Sequence, residues 1–259
     1  MWETWLPTLP VLLFTRILDI KKSQARQMER RLERRYSPGR NFPLFATLDV
    51  DGEPRAAKVI DLSAHGAGLQ VSGPAYGKGS VAKLHLMLEE TWMEFPCRIA
   101  HLRTLSAGCR LGLEAKFENF ATQKAYLQLL QPVALGSAMR PVPVEETRQI
   151  EPDLHMSAFT GLPGTELSVW RAGDPDGDFN SFLWQMDDYI VRGEAAVGVV
   201  QITSRKQLPR PSARGKAGGP RKLAAGVHDE VRLLFRWTML NLPKEVPGDI
   251  RTFMQGFVD

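Results

Sequence analysis

At Asn41 the apolar residues of this chain change from a helical period to a period of two, and they hold it as far as Phe117. Residues 42–50, 55–61, 67–71, 81–88, 95–103 and 109–117 read as short strands, and 81–88 alternates apolar and polar side chains as a half-buried strand does. Asp51-Gly52 separates the first two, and both positions suit the positive φ of a tight hairpin turn. Ser106-Ala107-Gly108 separates the last two. A helical run at residues 121–130 follows, stopped by Pro132. About six short strands at spacings of roughly eight to twelve residues, closed by one helix, predict a small antiparallel barrel, because closure removes exposed sheet edges.

The flanks read differently. Residues 18–35 are rich in Lys, Arg, Gln, Glu, Met and Leu without Gly or Pro, which predicts a helix ending at Ser37-Pro38-Gly39. Residues 5–20 are apolar, but Pro7, Pro10, Arg16 and Asp19 break them, so they are too short and interrupted to span a bilayer. They also lack the basic start and cleavage site of a secretory signal. Their greasy face docks on the protein's own core, on a partner, or in a membrane interface. Residues 133–152, rich in proline, read as a linker. Beyond it, a hairpin over residues 165–186 turns at Asp174-Pro175-Asp176-Gly177. Further strands are expected at 189–192 and 197–203, a Pro/Gly/Arg/Lys-rich loop at 205–226, and helices at 228–240 and 249–257. The expected organisation is therefore an N-terminal helical segment (1–29), a mainly β barrel (30–132), a linker (133–152) and a smaller α+β domain of no recognised family (153–259).

Charge is concentrated rather than large. Eight basic residues against two acids lie between Lys21 and Arg40, and seven basic residues with no acid lie between Arg205 and Lys222, in a chain of net charge +4. Such patches point to anionic partners: phosphate ligands, nucleic acid or a membrane surface. Few aromatics interleave with them, as a nucleic-acid stacking platform would require, so nucleic acid is not the expected partner. Cys97 and Cys109 are not in metal spacing and fall in strands, so they read as buried free thiols suited to a reducing cytoplasm. The scattered histidines suggest no metal site. Asp187-Asp188 and the acidic turn at 174–178 read as turn residues, and no nucleophile elbow or phosphate-binding glycine loop occurs. No catalytic role or cofactor is expected.

The sharpest constellation is Asp61-Leu62-Ser63-Ala64-His65-Gly66, placed between two strands, with Arg30-Arg31-Leu32-Glu33-Arg34-Arg35 upstream of the first strand. The pair resembles the PilZ family, with its R-x-x-x-R segment followed by [D/N]-x-S-x-x-G. The resemblance covers about residues 30–131. It implies a six-stranded PilZ-like barrel that binds cyclic di-GMP through Arg31, Arg35, Arg40, Asp61, Ser63 and Gly66, in a bacterial receptor rather than an enzyme. It also implies a protein partner reached through residues 153–259 or the N-terminal helix, in the control of motility, exopolysaccharide synthesis or biofilm formation. The chemistry suits such a ligand. Guanidinium forks meet phosphate oxygens and guanine O6/N7 in pairs, a carboxylate accepts guanine N–H groups, and glycine admits close backbone approach. Both Arg30/Arg34 and Arg31/Arg35 satisfy the arginine spacing, while Arg40 stands nearest the first strand as the family pattern favours, so the arginine assignment stays open. A barrel of this fold that does not bind nucleotide, and a basic nucleic-acid module, are the alternative readings.

Overall fold

The computed structural model describes residues 28–73, 76–147, 149, 151–204, 223 and 225–258. The chain divides into two compact units at Val133/Ala134.

The first unit is a closed barrel. Its strands are β1 (Leu44–Val50), β2 (Glu53–Ser63), β3 (Gly66–Val71), β4 (Val81–Leu88), β5 (Thr91–Leu105) and β6 (Gly108–Ala115), in the spatial order β1-β2-β3-β6-β5-β4. Every pairing is antiparallel. Alternation places Leu48, Leu62, Leu69, Leu84 and Leu86 inside, all essentially inaccessible. Each such side chain stabilises the fold by about 1.5–3 kcal/mol relative to exposure. The Asp51-Gly52 turn forms as the sequence predicts, with φ of 55° and 83°.

Helix α1 (Phe120–Ser137) packs Tyr126 against Phe95 and Phe117, with ring centroids 5.2 Å apart in each case. It runs through Pro132 instead of stopping there. The proline costs about 3 kcal/mol. Val133, Ala134 and Leu135 beyond it are fully buried, and that burial outweighs the cost.

The N-terminal side departs from expectation too. The predicted helix at 18–35 is helical only over residues 28–31 among its described residues, and residues 1–27 lie outside them. From Leu32 the chain is drawn against the end of β2. The amide of Ala64 donates to Leu32 O, and Tyr36 and Leu62 exchange two backbone hydrogen bonds of 2.8 and 2.9 Å. Leu32 and Tyr36 are buried by this arrangement. Tertiary burial and sheet pairing override a strong helical propensity here.

The second unit is an antiparallel meander ordered β12-β11-β10-β9-β8-β7, comprising β7 (Arg140–Pro141), β8 (Leu154–Thr160), β9 (Thr165–Ala172), β10 (Phe179–Met186), β11 (Tyr189–Glu194) and β12 (Val200–Ser204). Helices α2 (Ala225–Met239) and α3 (Gly248–Gln255) complete it. Its core joins Phe182 and Phe235, stacked at 5.6 Å, with Trp184 and Phe257 edge-on to this pair. Strands β7 and β8 were not expected from the sequence. The first has two residues, and in β8 the adjacent apolar residues Ala158 and Phe159 break the alternation begun by Leu154, His155, Met156 and Ser157. The basic loop expected from residue 205 lies outside the described residues as far as 222. Among the described residues, no helix is long and apolar enough to cross a membrane.

Candidate functional site

The site is built where the N-terminal segment meets β2. Tyr36 bridges to Leu62 antiparallel, and diagonally across this bridge Arg35 Nη1 donates to Asp61 Oδ1 at 2.6 Å. Asp61 is a quarter exposed and Arg35 about half, so the pair sits on the rim of an open cavity of about 300 Å³. That is the lower end of the range for small-molecule sites.

The register across the outer face sets the rest of the cavity. Asp61 stands opposite Gly68, Gly68 opposite Gly112, and Gly112 opposite His101, one row crossing β2, β3, β6 and β5. Two bulges create this row, one between Val59 and Asp61 and one between Ile99 and His101. Each inserts one residue, so the following side chain changes face and points outward. The glycines between leave bare backbone as a floor. A Cβ on Gly68 would lie 2.7 Å from both carboxylate oxygens of Asp61, so only glycine leaves that carboxylate its place. A parallel row consists of Lys58, Gln70, Arg110 and Arg103, and both arginines line the cavity.

The motif's turn is held from beneath. Tyr126 Oη donates to Gly66 O at 2.8 Å and lies 3.1 Å from Ser63 O. Burial, reinforced by the Asp61 charge, pushes its hydroxyl well above the ordinary tyrosine range. Ser63 is buried and its hydroxyl lies 3.5 Å from Gly66 O. Gly66 packs so tightly that a Cβ would fall 1.9 Å from Leu113 O. Ser63 and Gly66 therefore shape the turn and do not line the cavity. His65 is exposed at its tip.

Of the expected site residues, the structure brings Arg35 and Asp61 together. Arg31 lies one helical turn earlier, where its carbonyl accepts from Tyr36 Oη at 3.1 Å, and Arg40 is exposed on the turn leading to β1. Neither lines the cavity. Sequence reasoning missed His101, Arg103 and Arg110. The alternation of β6 could have flagged Arg110 and Gly112 as outward positions on one face. Among the described residues, no cluster of three metal-ligating side chains occurs.

A closed barrel whose rim pairs an arginine with a strand-end aspartate over a glycine floor makes a candidate site for a small ligand. Residues 29–130 match the family model of the PilZ domain, so the barrel segment, two fifths of the chain, is a PilZ domain. No curated protein matches the chain. Among solved structures, the PilZ domain of YcgR from Escherichia coli, solved with c-di-GMP, is similar at 16% identity and a TM-score of 0.34. The match covers 39% of this chain and 88% of that one. The Borreliella burgdorferi PlzA protein in complex with c-di-GMP is similar at 8% identity and a TM-score of 0.32, over 66% of this chain and 86% of that one.

Proposed function

We propose that this protein is a cyclic di-GMP receptor whose PilZ barrel takes the ligand at the Arg35–Asp61 rim. The observation that carries this reading is the 2.6 Å pairing of a strand-end carboxylate with a guanidinium from the preceding segment, inside a segment matched as a PilZ domain. On binding, the ion pair is exchanged for ligand contacts. Arg35 turns to a phosphate and Asp61 accepts guanine N–H groups, both charge-assisted bonds in a partly desolvated place. Arg31 and Arg40 flank this point from the helical turn and from the loop before β1, and close over the ligand. Ser63 and Gly66 hold the turn that presents Asp61. The protein acts as a receptor and not as an enzyme. Residues 153–259, or the N-terminal segment, carry the signal to a partner protein in the cytoplasm, in the control of motility, exopolysaccharide or biofilm. Residues 1–20 offer an additional membrane-surface contact.

Isothermal calorimetry with cyclic di-GMP tests the reading. Wild type binds, and Arg35→Ala and Asp61→Ala each weaken binding by roughly ten- to a hundredfold, the loss expected for one charge-assisted bond. A silent wild type, or unchanged affinity in both variants, refutes it.

A further inference from the structure

We infer that the β5–β6 face of the barrel, with Arg103 and Arg110, is a second half of the binding site, gripping a phosphodiester of the dinucleotide whose purine lies on the Gly68–Gly112 floor. This rests on the receptor reading above.

Three observations carry it. First, Arg103 and Arg110 are direct cross-strand partners, and both are exposed. Like charges directly opposite each other destabilise a sheet. Second, several other cations of the barrel strands are matched with acids. Arg98 and Lys116 share Glu114, Lys83 faces Glu94 at 3.5 Å, and Arg55 faces Glu53 at 3.0 Å. Among the described residues, the side chains of Arg103 and Arg110 make no hydrogen bond or ion pair with a protein group. An uncompensated guanidinium pair is a costly place to leave without an anion, and two adjacent forks suit the oxygens of a phosphodiester. Third, both arginines line the same cavity as Arg35 and Asp61, across a floor with no side chains. The strands carrying Asp61 and His101 are three spacings apart, roughly 14 Å, so the bare strip between them accommodates a fused-ring base lying flat. His101 closes the far edge of that strip.

Phosphate is thus approached from two sides, by Arg35 on one and by Arg103 and Arg110 on the other. The test titrates the full-length chain with cyclic di-GMP, at low and at high salt. Arg103→Gln and Arg110→Gln each weaken binding about tenfold and the double variant about a hundredfold, with a shallower salt dependence than wild type. The unliganded double variant melts no lower than wild type, because its removed charges repelled each other. Gly112→Val, which fills the floor and leaves every charge in place, also weakens binding. If the double variant and Gly112→Val bind as wild type does while Asp61→Ala still weakens binding, the β5–β6 assignment falls and the receptor reading stands. If wild type itself is silent, both fall.

Discussion

Tyr126→Phe removes one oxygen from beneath the binding turn and leaves the aromatic cluster of Phe95 and Phe117 in place. The side chain is inaccessible, and its hydroxyl serves the carbonyls of Ser63 and Gly66. Deleting a buried donor forfeits a net hydrogen bond and leaves acceptors short of a partner, a loss of about 1–3 kcal/mol. For a module of this size each kcal/mol lowers the melting point by roughly 4–8 °C. A second signature lies in pH. A free tyrosine releases its proton near 10.0, whereas burial keeps Tyr126 protonated far beyond that. Above pH 10 the unfolded chain therefore binds fewer protons than the native one, and stability falls by about 1.4 kcal/mol per pH unit on account of this residue. Tyr36 and Tyr76 are also raised by burial, but they are present in both proteins and cancel in the comparison. Urea titrations of wild type and variant, followed by circular dichroism at pH 8 and above pH 10, read both effects. The variant is weaker at pH 8 and loses less on going alkaline. Equal stability at pH 8, or parallel alkaline losses, would refute the reasoning.

Gly66→Ala places a methyl 1.9 Å from a main-chain oxygen, so it exceeds the roughly 1–3 kcal/mol of ordinary overpacking, whereas Gly52→Ala, strained in φ but with open space, costs only about 1–2 kcal/mol; thermal melts of the two rank them in that order. Cys97 and Cys109 are both buried, and burial pushes the Cys97 thiol up to about 12, so a colorimetric thiol reagent at pH 8 reports free thiols only after denaturant is added.

The barrel was legible because its signals are local. Alternation and the Asp51-Gly52 and Ser106–Gly108 turns mark most strand centres without reference to anything distant, and Asp61, at a strand end within its motif, is equally local. Choosing among the arginines was not possible from sequence. Arg35 is selected by the Tyr36–Leu62 bridge, a contact across more than twenty residues that no helical propensity anticipates. His101, Arg103 and Arg110 escaped for a related reason. Their meeting with Asp61 depends on four strands in register and on two inserted residues, and period counting has no means of placing such insertions. The continuation of α1 through Pro132 likewise depends on what Val133 and Leu135 bury against.

The inserted residues at those two bulges, Ile60 and Ala100, behave like punctuation in a reading frame. Deleting either would restore regular pairing, with Asp61 still opposite Gly68 and His101 still opposite Gly112, and would remove only the local bend and twist that the bulge imposes. Past each spacer the strand reads in the opposite phase from the stretch before it, so a count by twos carried across it assigns every later residue to the wrong surface.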